Sequence, residues 1–129
     1  MKPFKIFVFG NQKVKTDSVP LKILPKLKEQ FPQIKFIVKD PTEVINHQED
    51  EWWILDTVQG VNNVTIIDDP SVFANQSSLS VHDYDLTFEI KLLLKLGKLK
   101  KIKIVAIPHF MQKDQALVKV TKLLSSSGF

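Results

Sequence analysis

The chain opens with a short, mostly apolar run, Lys5-Ile6-Phe7-Val8-Phe9, cut off by Gly10-Asn11 in the manner of a buried strand. After a polar stretch from Gln12 to Ser18, Pro20 stands where a first helical turn tolerates it. Leu21, Leu24, Leu27 and Phe31 then recur at helical spacing. Pro25 falls inside that pattern and removes a backbone donor, which predicts a kinked helix or a late start near Leu24. Ile34, Phe36 and Val38, spaced two apart and bounded by Asp40-Pro41, predict a second strand. Trp52-Trp53-Ile54-Leu55, ended by Asp56, is an uninterrupted apolar run that suits a central third strand.

Val64-Thr65-Ile66-Ile67, stopped by Asp68-Asp69-Pro70, predicts a fourth strand. Only about eight residues around Gly60 separate it from the third, fewer than the dozen or more that a parallel crossover needs. Strand four is therefore expected to run antiparallel to strand three or to sit at the edge. Residues Ser71 to Val81 are polar and without periodicity. Leu86, Ile90, Leu93 and Leu94 then mark a helix with Asp83 and Asp85 at its start and Lys95, Gly97 and Lys98 at its end, as the helix dipole favours. Ile102, Ile104 and Ala106, with Val105 and Ile107 between them, predict strand five, closed by Pro108-His109. Leu117, Val120, Leu123 and Leu124 predict a last helix before Ser125-Ser126-Ser127-Gly128. Strands alternating with helices imply an α/β fold: a three-layer α/β/α sandwich on a five-stranded, mostly parallel sheet with one antiparallel strand.

Composition narrows the class. The 129 residues fit a single domain spanning 1–129, and 43% hydrophobic with 25% charged residues is ordinary globular composition. No run of about 18 apolar residues occurs, and the opening Met1-Lys2-Pro3 leads to no small-residue cleavage site. A cytoplasmic protein without membrane insertion is expected. With no cysteine, disulfides, thiolate zinc sites and a thiol nucleophile are excluded, so a metal here needs oxygen or imidazole ligands. The net charge of +4 comes entirely from lysine on the basic side. Phosphate and guanine recognition favours the planar arginine fork, so no nucleic-acid partner is expected.

In open α/β sheets ligands bind beyond the carboxyl ends of the strands. That rim collects Gly10, Asn11 and Asp17 after strand one, Asp40 after strand two, Asp56 at strand three and His109 after strand five. His82, opening the helix that leads into strand five, joins them. Taken singly, Asp40 or Asp56 reads as a loop or capping residue and His82 as a hydrogen-bonded structural group. Convergence raises the functional reading, because carboxylate oxygen plus imidazole nitrogen suits nickel or zinc and suits magnesium poorly. Glu49, Asp50 and Glu51 precede strand three and belong to the opposite rim as a solvated turn. His47, in a charged loop, and His109 have weaker claims. The lysines from Lys95 to Lys103 read as a solvated face, and Trp52-Trp53 as core. Gly10-Asn11 lacks the further glycines of a nucleotide-binding loop, and no nucleophile elbow is present.

Val8-Phe9-Gly10-Asn11, Thr16-Asp17-Ser18, Asp40-Pro41-Thr42, Ile54-Leu55-Asp56-Thr57 and Ser80-Val81-His82, with Leu86 beyond, together resemble the hydrogenase maturation endopeptidases in order and spacing. The resemblance covers most of the chain. It implies a compact α/β/α, phosphorylase/hydrolase-like fold that removes the C-terminal extension from the large-subunit precursor of a nickel-iron hydrogenase. Nickel already seated in the precursor would be the recognition element, and the protease would act as a monomer. The family's metal-contacting residues are a first-loop acid, the strand-three Asp and the Ser-x-His histidine. The last two fall on Asp56 and His82. The first falls on Ser18, whose hydroxyl is a poorer ligand than a carboxylate, so the neighbouring Asp17 is expected to supply the oxygen. The catalytic and metal-binding set is thus Asp17, Asp56 and His82. The alternative is an impaired family member that binds or chaperones a precursor or metal. Phe9 stands at or beside the first glycine of the family's Gly-x-Gly-Asn segment.

Overall fold

The structure, a computed structural model, describes residues 4–9, 18–39, 51–58, 60–68, 95–96 and 101–128. In chain order these form β1 (Phe4–Phe9), α1 (Val19–Gln30), β2 (Ile34–Lys39), β3 (Glu51–Val58), β4 (Thr65–Ile67), β5 (Lys101–Pro108) and α2 (Lys113–Ser126). The strands make one five-stranded sheet in the order β2-β1-β3-β5-β4. All pairings are parallel except β4 with β5. Both expectations for strand four hold: it lies at the edge, and it runs against β5 and hence against β3.

The three central strands are continuous apolar runs because both of their faces are buried. Ile6 and Val8 of β1, Trp53 and Leu55 of β3, and Val105 and Ile107 of β5 pack with Val19, Ile23 and Leu27 of α1 and Val120 and Leu124 of α2. Successive strand residues face opposite layers, so the alternate set forms a second cluster: Phe7, Phe9, Trp52, Ile54, Ile102, Ile104 and Ala106. The paired tryptophans are thus both core, one in each cluster. The helix expected between Asp83 and Gly97 lies outside the described residues apart from its end, where Lys95 is helical and Leu96 is in a turn.

Of the two expectations for α1, a kink or a late start near Leu24, the late start is not met. The helix begins at Val19 and runs through Pro25 without interruption. The Ser18 carbonyl accepts the N–H groups of Leu21 and Lys22 at 3.0 Å each. Pro20 has no N–H, but in this first turn none is required. The exposed Pro25 forfeits one helical bond, at a cost of about 3 kcal/mol in a helix interior. Burial of Val19, Ile23, Leu24 and Leu27, each contributing about 1.5–3 kcal/mol, outweighs it.

The turn that brings the chain from β3 into β4 places Gly60 at φ +88°, a conformation that side-chain-bearing residues avoid. Polar contacts then tie α2 to its surroundings. Lys119 Nζ donates to Asn63 Oδ1 at 2.7 Å, and Thr121 Oγ1 donates to Gln30 Oε1 at 2.7 Å. Among the described residues no helix is long and apolar enough to cross a membrane.

Candidate functional site

Of the expected site residues, the described region contains Asp56. Asp17 and His82 lie outside it, as do Gly10, Asn11, Asp40 and His47. Asp56 was expected to close its strand; instead β3 continues through Thr57 to Val58. The reason is β5, whose Ile107 and Pro108 pair with Thr57 and Val58. Asp56 is therefore held on both sides by regular strand, near the carboxyl end of the sheet's middle strand.

That setting is unusual for an acid. Asp56 is 4% exposed. Its register partner in β5 is Ala106, and it alternates with Ile54 and Val58, so its side chain belongs to the face carrying the Phe9 and Trp52 cluster. The register Phe7 with Ile54 and Val8 with Leu55 brings Phe9, the last residue of β1, level with Asp56. Where β1 runs out, the Asp56 carboxylate accepts the Thr57 backbone N–H at 2.8 Å. A buried carboxylate is costly unless paired, hydrogen-bonded or coordinating a cation, and Asp56 is the one buried acid among the described residues.

Ser18, the other residue that the family comparison singles out, is also described. It is 3% exposed and occupies the N-cap position of α1, where its side chain makes no capping hydrogen bond. Of the acids assigned to the opposite rim, Glu51 is structural, while Glu49 and Asp50 lie outside the described residues. Glu51 Oε1 accepts from Trp53 Nε1 at 3.3 Å and lies 4.0 Å from Lys103 Nζ, which itself stands 5.1 Å above the Trp53 ring. This half-exposed arrangement accounts for Lys103 within the lysine run and is worth little as a site.

The structure adds one feature that the sequence reading did not identify. A groove of about 490 Å³ opens where β5 passes into α2, between His109 to Asp114 on one side and Val19 and Lys22 of α1 on the other. His109, half-buried, lines it. Two signals were available in the sequence: Pro108 as a strand stop, and the apolar pair Phe110-Met111 placed between a strand and a helix, outside either periodicity. Asp56 and His109 share the carboxyl rim but not a face, and among the described residues no three His, Cys, Asp or Glu side chains cluster to hold a metal.

No protein-family model matches the sequence, and no curated protein matches it. Solved structures do. A crystal structure of the hydrogenase 3 maturation protease superposes with a TM-score of 0.64 at 17% identity, covering 92% of this chain and 87% of that one. The solution structure of the endopeptidase HycI from Escherichia coli gives 0.57 at 16%, covering 95% and 90%. An uncharacterized protein from Wolinella succinogenes gives 0.59 at 16%, covering 98% of each chain. At such identities the likeness is one of architecture: the chain has the fold of the hydrogenase maturation proteases.

Proposed function

We propose that this protein is an endopeptidase of the hydrogenase maturation type, which removes the C-terminal extension of a nickel-iron hydrogenase large-subunit precursor. Fold alone does not carry a function. The observation that carries this one is a buried carboxylate, Asp56, near the carboxyl end of the middle strand of that fold. The order of motifs from Gly10-Asn11 to Ser80-Val81-His82 supports it. In this reading Asp17, Asp56 and His82 approach the nickel that the precursor brings with it, and the protein acts in the cytoplasm as a monomer. Water adds to the carbonyl carbon of the scissile peptide, the C–N bond breaks, and the proton passes to the departing amine nitrogen. The metal's part is to polarise the reacting oxygen.

The test is to mix the purified protein with nickel-loaded and nickel-free precursor and to follow intact mass. Loss of the extension from the nickel-loaded form alone is expected. A nickel-loaded precursor that stays whole refutes the peptidase reading.

Ser18 favours a second reading, that of an impaired member which binds or chaperones a precursor or metal, because a buried neutral hydroxyl stands where the resemblance calls for an acid. Ser18→Asp separates the two, aspartate being small and well suited to a helix N-cap. A gain of cleavage from an inactive parent identifies the impaired enzyme. Full parental activity that Asp17→Ala removes assigns the oxygen to Asp17.

A further inference from the structure

The groove between α1 and the β5–α2 junction has a defined chemical character. Val19 and Met111, 6% and 5% exposed, form its apolar floor. Phe110 stands at the groove with 71% of its surface exposed, more than Val118, Leu96 or Val38, the other large exposed apolar residues among those described. Lys22 and Lys113, both exposed, flank it, against a single acid among the described residues, Asp114. The amino end of α2 opens there too and adds to the positive side of the balance. An aromatic left in water beside two ammonium groups matches the make-up of a protein-binding surface, where aromatic anchors dominate.

We propose that this groove binds an acidic, aliphatic-bearing peptide segment, with Phe110 covering an apolar side chain and Lys22 and Lys113 pairing its carboxylates. That the segment belongs to the hydrogenase precursor rests on the maturation reading above. The groove and Asp56 stand at the same carboxyl rim of the sheet, on its two different faces. Single-stranded nucleic acid is the rival occupant, since lysine with an aromatic also suits stacked bases. The absence of arginine and the presence of Asp114 in the lining weigh against it.

The experiment uses the whole protein and a fluorescein-labelled peptide alternating glutamate and leucine, with a lysine-for-glutamate counterpart and oligothymidylate as competitors. Anisotropy is expected to give at least about tenfold tighter binding of the acidic peptide, weakening as salt rises from about 50 mM to about 500 mM. Phe110→Ala is expected to weaken it by about tenfold. The double variant Lys22→Glu/Lys113→Glu is expected to reverse the preference. Equal binding of both peptides, an unchanged preference in the double variant, or displacement by oligothymidylate at equal concentration overturns the proposal.

Cleavage assays on the same variants separate this claim from the maturation reading. If the parent cuts nickel-loaded precursor and the double variant cuts it equally fast, the groove is not the precursor's docking site, and the maturation reading survives. If the parent cuts nothing while the acidic peptide still binds selectively, the maturation reading falls and the groove's preference stands.

Discussion

Asp56→Asn is expected to lower the rate of precursor cleavage by about 10²-fold while leaving the fold intact, because a neutral amide is a weaker partner for nickel than a carboxylate and disturbing the groups around a metal costs up to about that factor. Asparagine is nearly the same size, and its Oδ1 is able to accept the Thr57 N–H that Asp56 takes at 2.8 Å. The negative charge is lost while the size is kept. Asp56→Leu removes the acceptor as well, which the buried Thr57 N–H then lacks, and should lower stability in urea denaturation by about 1–3 kcal/mol. An Asp56→Asn protein that folds as the parent does and still cleaves at the parental rate contradicts any catalytic use of this carboxylate.

Trp52→Ala is expected to cost about 3–5 kcal/mol, the range for deleting a large buried aromatic. Trp52 is 2% exposed and meets the Phe7 ring edge-on at a centroid distance of 6.2 Å. In a domain whose whole stability is about 5–15 kcal/mol, this loss consumes much of the margin. For this chain length it lowers the Tm by roughly 10–20 °C. Phe110→Ala is the matched control: an exposed aromatic whose removal should change stability by no more than about 0.5 kcal/mol. Differential scanning calorimetry of the two variants decides the matter, and a Trp52→Ala protein melting within a few degrees of the parent would show that this face is not packed as described.

Those contrasts also indicate where the sequence was legible. β1, β3 and β5 were readable because a strand buried on both faces must be apolar at successive positions, and Ile6 to Phe9, Trp52 to Leu55 and Ile104 to Ile107 are. The antiparallel edge strand followed from a connection too short for a crossover. The start of α1 stayed open between Pro20 and Leu24 because the Pro25 rule is local, whereas the helix is held by the contacts of Val19, Ile23 and Leu27 with the sheet. The end of β3 was misplaced for a related reason. An aspartate reads as a stop, and the pairing of Thr57 and Val58 with β5 leaves no trace in β3 itself.

For the candidate site, sequence reasoning singled out Asp56 by its position at the carboxyl end of a central strand, but it had no means of knowing how deeply the carboxylate is buried. The groove was missed for a different reason. Phe110 and Met111 fall between a period-two and a helical segment, where neither pattern assigns a face, and only the approach of α1 to the start of α2 turns them into a lining. A surface made by two elements far apart in the chain cannot be read from either one.

The most direct measurement is the structure of crystals soaked in nickel, with the ion located by its anomalous scattering. The account predicts one ion with the carboxylates of Asp17 and Asp56 and the imidazole of His82 about 2–2.5 Å away, within the range of metal–oxygen and metal–nitrogen bonds. An ion bound without Asp56, or an Asp56 carboxylate and His82 ring facing separate parts of the molecule, would contradict it.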